Sequence, residues 1–153
     1  MRKDDFADVV IMGGGLAGLT LSLQLKQRMP ELNITVIERR SHPVPHAAHK
    51  VGESSVEIGA HYFDKILGLK EHLDVAQLKK FGFRFFFSDG RRDIDGVTEL
   101  GASKVLPTPS YQLDRGIFEN ELATLAVKKG IQFYDNAVIR SFTLAEKGSK
   151  HTV

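Results

Sequence analysis

The segment Gly13-Gly-Gly15-Leu-Ala-Gly18 constrains this chain more than any other, because of what flanks it. Before it, Phe6–Met12 is short, apolar and β-rich, and stops at the glycines as a buried parallel strand does. After it, Leu16, Leu19 and Leu23, with Ala17 and Thr20, recur at helical spacing until Met29-Pro30 closes the pattern. Ile34–Glu38 is again short, β-branched and apolar. The opening of the chain therefore reads as strand, glycine turn, helix, strand: a βαβ unit.

In that setting a G-x-G-x-x-G has a mechanism. Gly13 makes the tight turn, Gly15 leaves room for a pyrophosphate against the backbone, and Gly18 lets the helix pack closely on the strand. Leu16 and Ala17 complete the binding segment, where the helix N-terminus faces the phosphate charge. Glu38 follows Gly18 by twenty residues, at the end of the second strand, where a carboxylate accepts both ribose hydroxyls of an adenosine. That carboxylate disfavours a 2′-phosphate, so FAD or NAD(H) is expected before NADP(H). Arg39, next in line with Arg40, pairs with a phosphate, stacks on adenine, or is a solvated surface arginine.

Composition narrows the class. With 42% apolar and 26% charged residues, the chain can bury a core, and its 153 residues fit one domain. The balance of 21 Lys and Arg against 19 Asp and Glu leaves +2, too little to argue for nucleic acid or an anionic membrane. Cysteine is absent, which excludes disulfides, thiolate catalysis and Cys-ligated metal, and the default expectation is the cytoplasm. The charge-free stretch from Val9 to Leu25 is broken by glycines and reads as neither a membrane span nor a signal peptide.

Beyond Glu38, Pro43 and Pro45 with His42, His46 and His49 give no period and predict an extended loop. The histidines are not expected to hold metal, since the prolines prevent a helix from aligning them and no carboxylate stands between Ser41 and Gly52. Ser54–Glu57 fits a capping box, with Val56, Gly59, Phe63, Ile66 and Leu67 at helical spacing up to Gly68, and a second helical piece over 69–73. Phe81, Phe83, Phe85 and Phe87 fall on one face of a predicted strand, read as core, and Asp89-Gly90 signals a hairpin turn behind it. Asp114 caps a predicted helix with Ile117, Phe118, Leu122, Leu125 and Ala126 on its apolar side, closed by Gly130. Strands are expected over 131–134, over 137–144 and from His151 onward.

The fold class expected is α/β: a Rossmann-like, FAD-binding, three-layer fold with a mainly parallel sheet and an inserted aromatic hairpin. FAD is preferred to a nicotinamide because a loop, a helix and the hairpin intervene where further βαβ units would otherwise follow. Three segments then acquire weight: Lys50-Val-Gly-Glu-Ser-Ser-Val-Glu57, Leu78-Lys-Lys-Phe-Gly-Phe-Arg-Phe85, and Tyr111-Gln-Leu-Asp-Arg-Gly-Ile-Phe-Glu-Asn-Glu-Leu122. Together with the glycine turn, they resemble the N-terminal part of flavin-dependent halogenases, the tryptophan-halogenase-like branch of the FAD monooxygenase fold. The resemblance runs from Asp8 to Phe142.

It implies FAD as cofactor and chemistry that uses reduced FAD, oxygen and halide, with a lysine relaying the electrophilic halogen to a small aromatic substrate. A separate flavin reductase is the implied partner. Lys80 matches the lysine, with Lys79 as the neighbouring alternative and a solvated Lys-Lys pair as the plainer account. Gly52, Glu53 and Ser54 match a segment near the isoalloxazine, with a helix opening at Ser54, which also suits a simple N-cap. Arg115 matches an arginine that reaches the cofactor's phosphates or ribityl chain; a surface ion pair with Glu119 is the alternative. The family's second flavin motif, its tryptophan-containing segment and the glutamate that partners the lysine lie downstream of the matched region, and this chain has no tryptophan. Residues 1–153 are thus expected to be an FAD-binding domain fragment, incomplete as an enzyme. An aromatic hydroxylase or other flavin oxidoreductase, and a non-catalytic dinucleotide-binding fragment, are the alternatives.

Overall fold

The computed structural model describes residues 6–47, 49–104 and 106–153. Along the chain run β1 (Val9–Met12), α1 (Leu16–Arg28), β2 (Ile34–Ile37), α2 (Glu57–His61), α3 (Lys70–Ala76), β3 (Leu78–Lys80), β4 (Arg84–Phe87), β5 (Thr98–Gly101), β6 (Ser110–Gln112), α4 (Arg115–Lys128) and β7 (Gln132–Tyr134). They fall into two compact units. The first combines the residues up to His49 with those from Asp114 onward, and the second is Lys50–Leu113.

The first unit is built on a parallel sheet in the order β1-β2-β7, with Val9 opposite Ile34 and Val36 opposite Phe133. The central strand β2 is the most deeply covered, with Ile34, Thr35 and Val36 all buried. Thr35 satisfies its hydroxyl there by donating to Gln132 Oε1 at 2.8 Å. Helix α1 turns Leu19, Thr20, Ser22 and Leu23 inward and packs on α4, whose Phe118, Leu122, Ala123 and Ala126 are equally buried. The small Ser22 spends its hydroxyl on Leu19 O within its own helix, so it enters this interface without an unpaired group. The result is a mixed α/β fold with a parallel sheet, as the sequence predicts, and no helix among the described residues is long and apolar enough to cross a membrane.

The strand expected over 137–144 does not form. At Asn136 the backbone takes a positive φ of 49° and the chain leaves the sheet, with Val138, Phe142 and Leu144 exposed and a single bridge between Thr143 and Thr152.

The second unit holds two antiparallel pairs, β3 with β6 and β4 with β5. The helix expected to open at Ser54 begins only at Glu57, with Val56 as its N-cap and no side-chain cap. Ser54 and Ser55 stay extended because they pair with the strand beyond: Ser54 bridges Gln112, and Ser55 N–H donates to Tyr111 O at 2.8 Å. From Tyr62 to Ile66 the helix widens into a π-turn that buries Phe63. The aromatic run is also shorter than expected. Gly82, at φ +130°, breaks it, so the strand covers Arg84–Phe87 alone and leaves Phe81 and Phe83 outside. Phe81, Phe83, Phe85 and Phe87 are exposed, which corrects their reading as core, and Phe86 on the other face is exposed too.

Candidate functional site

The glycine turn is shaped by its neighbours. Gly13 lies at φ +117°, a conformation L side chains rarely adopt, and donates its N–H to Ile37 O at 2.8 Å, tying the turn to the end of β2. Gly18 has no space for a side chain, since a Cβ there would stand 1.9 Å from Gly13 O. That contact lets α1 start directly against the turn. At Gly15 the surroundings are open, and a Cβ would meet only Glu119 Oε1, at 3.8 Å. Crowding returns at Gly14, a position the motif leaves unspecified: a Cβ would meet Glu38 Cβ and the Phe133 ring at 2.7 Å each.

Glu38 sits where β2 ends, and its carboxylate turns toward the glycines. Oε2 accepts the Gly14 N–H at 2.6 Å and Oε1 accepts the Arg40 N–H at 2.8 Å. Arg39 beside it is exposed. Helix α1 brings no charge or cap of its own to its N-terminus, because Gly15 is the N-cap and the first turn has no acidic residue. An acid from elsewhere supplies one: Glu119, on α4, accepts the Leu16 N–H at 3.3 Å. The same carboxylate holds Arg115, at 3.0 Å from Nε and 2.5 Å from Nη2. The ion pair expected as the alternative for Arg115 is therefore present, with Glu119 buried and Arg115 part-buried at side-chain exposures of 3% and 15%. Gly13, Gly15, Leu16, Ala17, Gly18, Glu38, Arg39 and Arg115 all belong to this first unit. The motif singles out neither Gly14 nor Glu119: the tightness at Gly14 comes from Glu38 and Phe133, and the spacing from Arg115 suggests an ion pair for Glu119 but not its bond to Leu16.

Asp114 sets the start of α4. One carboxylate oxygen accepts the N–H groups of Gly116 and Ile117 at 2.8 and 3.0 Å, and the other accepts that of Ala47 at 2.7 Å. Burial alone would raise its pKa, but the N–H groups of Ile117, Ala47 and Gly116 outweigh that and hold the carboxyl below the usual range.

The second unit contains Gly52, Glu53, Ser54 and Lys80. Gly52 lies in a turn at φ +86°, and Glu53 accepts the Lys50 N–H at 2.9 Å. Lys80, at the end of β3, donates to Ser54 Oγ at 2.7 Å and to Ser55 O at 2.6 Å, and its Nζ lies 4.9 Å from the Phe83 ring centroid. Lys79 is separated from it by the strand's alternation and lies 3.8 Å from Asp74. Asp74 is held at a pKa of about 2, first by its bond to Lys70 and then by the Tyr111 hydroxyl, which donates to it at 2.6 Å. Burial, and then that bond, push the Tyr111 phenol well above its ordinary value. Among the described residues no group of three His, Cys, Asp or Glu is arranged to hold a metal ion.

These features have counterparts among known proteins. Residues 11–76 match the family described as an NAD(P)-binding Rossmann-like domain. The flavin-dependent halogenase chlA of Dictyostelium discoideum is 33% identical over 138 residues, which cover 86% of this chain and 23% of that protein. The crystal structure of the halogenase PltM superposes with a TM-score of 0.72 at 19% identity, covering 97% of this chain and 33% of that one; PltM has also been solved with phloroglucinol and FAD. The flavin-dependent brominase Bmp2 gives a TM-score of 0.61 at 25% identity over 83% of this chain and 28% of its own. The chain thus spans between about a quarter and a third of the length of the relatives it matches. In sequence and in fold it is similar to the N-terminal part of the flavin-dependent halogenases, and its residues 11–76 match a Rossmann-like domain.

Proposed function

We propose that this chain is the FAD-binding part of a flavin-dependent halogenase, with the ADP half of the dinucleotide on the glycine turn of the first unit. The observation that carries this reading is the shape of the turn. Gly18 is pressed on Gly13 O, so that α1 starts hard against the strand, while the backbone at Gly15 is open and Glu38 reaches across to Gly14. The residues fit the group: open backbone and helix N–H groups suit a pyrophosphate, and the Glu38 carboxylate, which lies at the turn, suits ribose hydroxyls. When bound, FAD would supply the redox chemistry.

The chain's own residues would bind and orient it. Gly13, Gly15, Leu16, Ala17 and Gly18 contribute backbone, Glu38 the ribose acceptor, Arg39 and Arg115 positive charge, and Gly52, Glu53 and Ser54 the segment near the flavin ring. Lys80 is the amine that passes halogen to a small aromatic substrate. Ser54 Oγ and Ser55 O hold its Nζ between them, which supports Lys80 over Lys79. A separate flavin reductase would deliver reduced FAD.

The family description favours one competing reading, a nicotinamide dinucleotide on the same turn. An absorption spectrum of the purified chain, with identification of any nucleotide released on denaturation, separates the two. Released FAD, or uptake of added FAD with quenching of its fluorescence, is the expected result. A colourless chain that takes NADH and refuses FAD would establish the competitor, and one that takes neither would end both.

A further inference from the structure

We infer that Glu119 is a positioning residue of the dinucleotide site, acting through Arg115; this rests on the reading of the first unit as the FAD-binding part. Glu119 is 2% exposed, in the interior of α4, where a carboxylate costs stability unless it is fully paired. Three of its hydrogen bonds meet on one atom. Oε1 accepts Arg115 Nε at 3.0 Å, Arg115 Nη2 at 2.5 Å and the Leu16 N–H at 3.3 Å, so three donors from two helices converge on a single oxygen. That oxygen is also the atom nearest to the open face of Gly15.

The arrangement does two things at once. It fixes the first helical N–H of α1 against the first residue of α4, which are far apart in sequence. It also takes up one edge of the Arg115 guanidinium, whose five donors form a rigid fork. With that edge held, the direction of the other donors is set before any ligand arrives, and the entropy of immobilising a long side chain is not lost on binding. Arginine opening a helix is unfavourable for the helix dipole, and Glu119 offsets this while leaving the guanidinium in place. A leucine at 119 would pack the α1–α4 interface but would orient nothing.

The test is a double-variant cycle on the whole chain, read by FAD affinity from fluorescence quenching and by ADP affinity from calorimetry. Glu119→Gln keeps the shape and one acceptor oxygen but loses the charge; it is expected to weaken FAD and ADP by about tenfold. In an Arg115→Gln background the same change is expected to move neither affinity by more than about twofold. Wild-type affinity in Glu119→Gln, or an undiminished loss in the Arg115→Gln background, overturns the inference while leaving FAD binding by the wild type intact. A wild-type chain that binds neither FAD nor ADP removes both. Should the variants fail to fold, NMR of the wild type decides: the Arg115 Nε–H signal is expected to stay protected from solvent exchange and to shift on adding FAD. Loss of protection, or no shift with FAD bound, refutes the assignment.

Discussion

A methyl group at residue 14 would meet both the Cβ of Glu38 and the ring of Phe133 at 2.7 Å, and neither neighbour is a flexible end that can swing away. Gly14→Ala is therefore expected to displace Glu38 as well as strain the turn. Overpacking of this kind costs about 1–3 kcal/mol, and a melting curve together with an ADP titration would show both losses; an unshifted melting temperature would mean the turn yields freely. Glu38→Ala should leave the fold intact and weaken FAD by about tenfold, the worth of roughly one charge-assisted bond. Unchanged affinity would take the ribose role from Glu38. Asp74 offers a prediction with a sign. Its folded pKa of about 2 lies below the value near 4 of an unfolded aspartate, so its contribution to stability is present above that value and lost as pH falls through about 2. The gap in melting temperature between wild type and Asp74→Asn should be widest near neutrality and close over that window; a gap that is constant with pH would show that the carboxylate's bonds to Lys70 and Tyr111 do not bear on stability.

Helix α4 depends on its first residue in a way the helix pattern predicts and the tertiary structure reinforces. Asp114→Ala removes a cap worth about 1 kcal/mol in typical helices, and here also the bond to Ala47, so a urea midpoint should fall by at least the cap's share. The hairpin of β4 and β5 makes the opposite prediction: Phe85→Ser with Phe87→Ser should change stability by no more than about 0.5 kcal/mol per site, because both rings are exposed. These two elements also mark what the sequence could convey. The βαβ unit and α4 were legible because local signals agree with their final packing: glycines at fixed offsets, a 3.6-residue period and an Asp cap. Ser54 carried an equally good local signal for a helix start and was overruled, since pairing with Gln112 and Tyr111 claims the same backbone. The phenylalanine alternation was genuine, but Gly82 cut it, and alternation cannot say whether the face it creates is covered. Glu119 looked like a surface partner of Arg115 because its third contact, Leu16, lies on another helix and leaves no mark in local spacing.

At the scale of the whole chain, the first unit is assembled from two separated stretches, and its site exists only when both are present. Glu38 and the glycines come from the first stretch, Arg115, Glu119 and Phe133 from the second. The ends of the two stretches are held together within the unit. Ala47 N–H bonds Asp114, and Asn120 pairs with both the N–H and the carbonyl of Val44, at 2.8 and 2.9 Å. A segment inserted between adjacent anchored points can be removed at little cost in closure entropy, whereas truncation strips neighbours from a core. Replacing residues 50–113 by a short Gly-Ser linker should therefore leave a folded first unit that still binds ADP, with the parallel sheet and the α1–α4 interface retained. Ending the chain at Leu113 should not, because it uncovers Leu19 and Leu23 on α1 and the β2 edge that β7 pairs. Circular dichroism and ADP calorimetry on the two variants decide it. If the linker variant is unfolded while its melting curve in excess ADP is flat, the first unit draws its stability from residues 50–113, and the site could not be treated as a property of the first unit alone.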